Sequence, residues 1–224
     1  METPKKRDNF YWDELNRPFV SVTHVLSSVL NKPSITYWYG QSIYREVIKD
    51  PSIDEKTAMA APYKISREAA GRGTTIHSLI ESYRRTGSVI ESVPPELKGY
   101  ANAFYDWVNS VKPTILDAEK RVYEYEMGYA GQYDMLAEIG GKKYVIDFKT
   151  SKKGEVYDEA HMQVSAYIHC LEGVKDGIIV ALAEDGHYTA KTCRNGFEAF
   201  KHALGLYVFI NEDKLAKYGW KGTI

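Results

Sequence analysis

The apolar positions change period at the loop running from Ser88 to Pro95, which ends in Pro94-Pro95. Upstream the spacing is helical. Ser21-Val22-Thr23-His24-Val25-Leu26 reads as a capped helix start, and a second helix is expected from Ser34 to Lys49. Between Ser66 and Arg85, Ile76, Leu79, Ile80 and Tyr83 fall at i, i+3, i+4 and i+7, one apolar stripe with His77 and Glu81 at its edge. Leu97 to Val111 suits another amphipathic helix, closed by Lys112-Pro113.

Beyond Pro113 the period becomes two. Arg121 to Met127, Gly131 to Ile139 and Lys142 to Lys149 are expected as strands, the last two joined by the hairpin pair Gly140-Gly141. Tyr157 to Leu171 follows as a helix with Ala160, Val164, Ile168 and Leu171 on one stripe. A second hairpin, Gly177 to Glu184 and His187 to Thr192, turns at Asp185-Gly186, and Phe197 to Phe209 closes as a helix. This order predicts an α/β (α+β) fold with a central mixed β-sheet flanked by helices. Residues 1–65 are expected as an N-terminal helical extension packed on a core of residues 66–224, one compact domain in all.

Composition narrows the setting. Of 224 residues 44% are hydrophobic and 26% charged, the balance of a globular chain, and the longest apolar run, Ile178 to Ala183, is too short for a bilayer. Met1 to Arg7 leads into polar and aromatic residues, with no secretory core, so a cytoplasmic setting in a bacterium or phage is expected. Cys170 and Cys193 cannot build a four-thiolate cluster from one chain, which excludes an iron-sulfur centre held that way. A net charge of -1 gives no overall pull towards nucleic acid, so local charge would have to supply it.

Candidate chemistry sits in the first hairpin. In one strand Gln132, Asp134, Leu136 and Glu138 share a face; in the next Val145, Asp147 and Lys149 do. A two-residue turn at Gly140-Gly141 sets Ile139 opposite Lys142 and, further along, Asp134 opposite Asp147. Directly opposed residues have Cβ atoms roughly 4.5 to 5.5 Å apart, where two carboxylates repel unless a cation or proton lies between them. Hard oxygen ligands suit Mg2+, with Mn2+ able to substitute. Lys149, two residues on, is placed to hold a water or offset charge on a phosphate.

Four motifs in order resemble the PD-(D/E)xK nuclease superfamily, and its RecB-type branch in particular. They are Gly73-Thr74-Thr75-Ile76-His77 with Glu81, Ala130-Gly131-Gln132-Tyr133-Asp134, Val145-Ile146-Asp147-Phe148-Lys149-Thr150-Ser151, and Gln163 with Tyr167. Tyr133 stands where the superfamily often has proline. The resemblance implies a restriction-endonuclease-like core and metal binding by His77, Asp134, Asp147 and the Phe148 carbonyl. It further implies a catalytic Lys149, with Glu81 at the same site, and Gln163 and Tyr167 steadying the substrate.

The implied activity is metal-dependent hydrolysis of DNA, exonucleolytic or end-processing, in recombination, repair or phage DNA metabolism. Arg72, Thr150, Ser151 and Lys152 are the expected contacts to the nucleic acid. Any unwinding would come from a separate helicase or recombination partner, because the chain has no P-loop. Blander readings exist for each residue: Asp147 and Lys149 as a surface ion pair, His77 as an ordinary helix histidine, Gln163 and Tyr167 as a helical contact. Competing functions on the same fold are a catalytically inactive DNA-binding module and an RNA nuclease or other phosphodiesterase.

Overall fold

The computed structural model describes residues 9–89 and 93–224; the segment before Asn9 and the middle of the predicted Ser88–Pro95 loop lie outside the described residues. In chain order the elements are β1 (Phe10–Trp12), β2 (Pro18–Ser21), α1 (Val22–Val29), α2 (Pro33–Lys49), α3 (Glu55–Thr86) and α4 (Lys98–Val111). Then come β3 (Thr114–Glu124), β4 (Tyr129–Ile139), β5 (Lys142–Ser151), α5 (Asp158–His169), β6 (Asp176–Ala183), β7 (Tyr188–Thr192), α6 (Phe197–Ile210) and α7 (Glu212–Tyr218). Contacts divide the chain into two units, Leu30–Thr75 and the remainder.

The larger unit is a mixed sheet with helices on both faces, the expected class. Strands β4, β5, β6 and β7 lie side by side, with β5 and β6 parallel and the two hairpins antiparallel. Gly140 and Gly141 take φ of 58° and 76°, the left-handed pair that a two-residue hairpin turn requires. The register is the predicted one: Ile139 faces Lys142 and Met135 faces Ile146.

On one face, Met135 and Ala137 of β4, Ile146 and Phe148 of β5, and Val180 and Leu182 of β6 pack against α4 and the end of α3. Phe148 is met edge-on by Phe104 at 5.3 Å and Trp107 at 5.2 Å, the tilted geometry that aromatic quadrupoles favour. On the other face, Val164 of α5 covers Gly177, where an added Cβ would lie 2.4 Å from Val164 Cγ1. Tyr129 meets the Phe200 ring of α6 and donates its hydroxyl to the Ala166 carbonyl.

Two strands escape the sequence pattern. β1 and β2 form a short antiparallel pair, and β2 then runs parallel to the start of β4, Val20 opposite Tyr129 and Ser21 opposite Ala130. Because β3 pairs with β4 along its opposite edge, β2 and β5 share one edge of β4: β2 at Tyr129–Ala130, β5 from Met135 onward. Between them the β4 edge has no ladder partner among the described residues over residues 131–134. β3 itself is displaced from the expected Arg121–Met127, beginning at Thr114 and carrying a register shift between Ile115 and Asp117. That irregularity breaks the alternation on which a strand prediction depends.

The smaller unit is helical, built from α2 and the first part of α3. Within it the Trp38 and Tyr39 rings meet edge-on, as do Tyr39 and Tyr63, while Tyr37 is exposed.

Candidate active site

The gap in the β4 ladder is where polar side chains gather. Asp134 is the last β4 residue before β5 pairing begins, and the register continued by one step sets it opposite Asp147. Its Oδ2 accepts the backbone N–H of Phe148 at 2.6 Å, so the carboxylate takes over from the ladder. Its Oδ1 lies 3.2 Å from His77 Nδ1, which is also 3.1 Å from Glu119 Oε1. Glu119 in turn accepts from Gln132 Nε2 at 2.6 Å.

The ligand atoms of His77, Glu119 and Asp134 all fall within 4.8 Å of one another. Burial opposes a charged imidazole, yet the flanking Asp134 and Glu119 carboxylates override it and push the His77 pKa up to about 10. A divalent cation bound through this imidazole nitrogen would have to displace the proton that the two carboxylates favour.

Asp147 is completely buried and close enough to feel the charges of Asp134 and His77. Its Oδ1 accepts from Lys149 Nζ at 3.0 Å and Gln163 Nε2 at 2.9 Å. Oδ2 lies 2.8 Å from Lys149 Nζ but, being buried, has no partner at hydrogen-bonding angles among the described residues. Burial raises the Asp147 pKa, the neighbouring Asp134 charge adds to that, and Lys149 opposes it. For Lys149, desolvation is outweighed by Asp147 and Asp134, and its pKa is raised, so its ammonium stays protonated. Gln163 Oε1 accepts from the same ammonium at 3.2 Å, and its Nε2 also reaches the Tyr167 hydroxyl at 3.0 Å.

Gly131 explains how Tyr167 fits. A Cβ there would stand 2.1 Å from Tyr167 Cε1, so only glycine lets the ring lie over β4. Thus the Ala130-Gly131-Gln132-Tyr133-Asp134 segment places both a carboxylate and the ring that fixes the Gln163 amide.

The Glu119 and Asp134 carboxylates and the His77 imidazole are a donor set that fits a divalent cation with mixed oxygen and nitrogen ligands, while the Asp147 carboxylate, turned to Lys149 and Gln163, stands outside that trio. Of the residues singled out from sequence, His77, Asp134, Asp147, Lys149, Gln163 and Tyr167 come together, with the Phe148 backbone among them. Glu81 does not join them: it pairs with Arg84 one turn along α3, at 3.0 and 3.1 Å. Thr150 and Ser151 continue β5 half-buried, Ser151 accepting the Glu155 N–H, and Lys152 is exposed in the turn beyond. Arg72 belongs to the helical unit.

Glu119 was not foreseen from sequence. Its φ is 52°, left-handed for a non-glycine residue, and such backbone persists only where its surroundings enforce it. The available sequence clue was an acidic residue just ahead of the Arg121–Met127 pattern.

No protein-family model matches the chain. No curated protein matches it either. Among solved structures, that of SSO0001 is similar at 16% identity and a TM-score of 0.45, over 85% of this chain and 75% of that one. The alkaline exonuclease LHK-Exo from Laribacter hongkongensis is similar at 10% identity and a TM-score of 0.42, over 89% of this chain and 90% of that one.

Proposed function

We propose that this protein hydrolyses phosphodiester bonds in DNA with a divalent cation, magnesium or manganese. The observation that carries this reading is the convergence of His77, Glu119 and Asp134 within 4.8 Å of one another beside the buried Asp147–Lys149 pair. A phosphodiester resists attack because it is anionic, so its hydrolysis demands concentrated positive charge and a positioned water. A cation held there would polarise the phosphoryl oxygen and acidify water.

The chain's own side chains supply the rest. Glu119, Asp134 and His77 would hold the ion, with Asp147 as a further carboxylate. Lys149, kept protonated by Asp147 and aimed by Gln163, offers a fixed ammonium to the charge that grows on the phosphate. Tyr167 holds Gln163, and Thr150, Ser151 and Lys152 continue from Lys149 as contacts for neighbouring phosphates.

The test is a degradation assay on single-stranded DNA, duplex DNA and RNA, in magnesium and in EDTA. We expect DNA to be cut only with the metal, and not by Asp134→Ala, Asp147→Ala or Lys149→Ala. Parental rates in those variants would remove the assignment, and a preference for RNA would change the substrate class.

A further inference from the structure

Glu119 and Gln132 face two ways: they touch the metal-ligand group, and they line a groove of about 750 Å³ that runs along β3 to the turn between β1 and β2. Glu119, Arg121, Tyr123 and Tyr125 all line it at alternate positions. From Glu119 to Tyr125, six steps of about 3.4 Å each make this a track of roughly 20 Å, beginning at the candidate site and ending at Tyr125.

Tyr125 is 58% exposed, yet its ring is held on several sides. Phe19, itself buried, meets it at 90° with centroids 5.3 Å apart, Tyr123 lies near-parallel at 27°, and the Arg17 guanidinium carbon is 4.9 Å from its centre. Arg17 is fixed in turn by Asp13, whose carboxylate accepts its Nε at 2.7 Å and its backbone N–H at 2.8 Å. With Arg17 over the ring and Tyr123 near-parallel beside it, an exposed ring already ordered loses little freedom when a flat partner joins the stack.

Charge along the groove argues against a trough for duplex backbone. Arg17 is neutralised by Asp13 and Lys120 pairs with Asp117 at 3.1 Å, which leaves Arg121 set against Glu14, Glu119 being turned to His77 and Gln132. With little net positive charge to gather phosphates, the groove's distinguishing feature is aromatic surface. Base faces inside a duplex are covered by their neighbours, so only an unpaired strand can stack on a side chain without being flipped out. We propose that this groove carries an unpaired DNA strand, stacks a base on Tyr125, and so makes the protein selective for single-stranded DNA; the selectivity rests on the nuclease reading above.

The experiment measures fluorescence anisotropy of a labelled 20-nucleotide DNA, single-stranded and as a duplex, in EDTA so that binding is read without cleavage. The full chain is compared with Tyr125→Ala and Tyr125→Phe. Tyr125→Ala is expected to weaken single-strand binding roughly 5- to 100-fold, Tyr125→Phe to stay within about twofold, and duplex binding to be equal in all three. The loss should persist at high salt, since stacking releases no counterions.

An equal loss on both substrates, no loss on the single strand, or a loss that vanishes in salt would each overturn the proposal. Magnesium is then restored. Binding that depends on Tyr125 without any cleavage would keep the groove and remove the nuclease; cleavage with binding indifferent to Tyr125 would do the reverse.

Discussion

The two faces of the β4–β5 hairpin share one backbone and do opposite work. On one, Met135, Ala137, Ile146 and Phe148 disappear into an apolar layer against α4. On the other, Asp134, Asp147 and Lys149 are sequestered under Gln163 and Tyr167. Apolar burial is favourable by about 25 cal/mol per Å², whereas withdrawing a carboxylate from water is costly and only partly offset by its partners. The first face therefore stabilises the hairpin enough for the second to hold charges where solvent would otherwise screen them.

That contrast can be broken from either side. The largest effect is expected from Trp107→Ala, which empties space beside Phe148 and should cost about 3–5 kcal/mol, read as a lower midpoint in urea. If stability hardly moves, the apolar face is not what supports the hairpin. Next comes Asp147→Asn: activity should fall on the order of 10²–10³-fold while the melting temperature stays level or rises, because a desolvated charge has been removed. A variant that is inactive only because it has unfolded would contradict the division of labour.

Smaller changes sharpen the polar face. Gly131→Ala drives a methyl into the Tyr167 ring and should destabilise by about 1–3 kcal/mol, with activity falling as Gln163 loses its support. Circular dichroism melts and turnover measured together would check it; an unaffected enzyme would mean that Tyr167 has no positioning role. Gln163→Ala should cost the least. Of the three hydrogen bonds it removes, the one to the Lys149 ammonium is the one that bears on turnover, worth about 1 kcal/mol or roughly fivefold in kcat, with KM unchanged. A change in KM alone would instead assign Gln163 to substrate binding.

Those same residues show what can be read from a sequence. The register that carries Asp134 towards Asp147 was legible because a Gly-Gly turn fixes it and alternation fixes the face, but that Glu119 and not Asp147 joins His77 and Asp134 was not. Lys149, Gln163 and Tyr167 followed from spacing and resemblance. Glu119 was not legible, since it depends on left-handed backbone in an irregular stretch of β3. Nor were β1 and β2: three and four residues long, they are strands only because one pairs with the other and β2 meets β4 more than a hundred residues away. Glu81, placed at the site by motif, spends its carboxylate on Arg84. A helical stripe gives the face of a residue but not the reach of its side chain.

The alternation Asp147-Phe148-Lys149 also decides which errors the molecule can tolerate. Losing or gaining one residue in the Gly140–Gly141 turn would send Phe148 towards α5 and the charged pair towards Trp107. A slip of register at this turn is therefore an error of the whole fold, whereas a single polar exchange at Asp147 is expected to leave the scaffold intact and alter only the site.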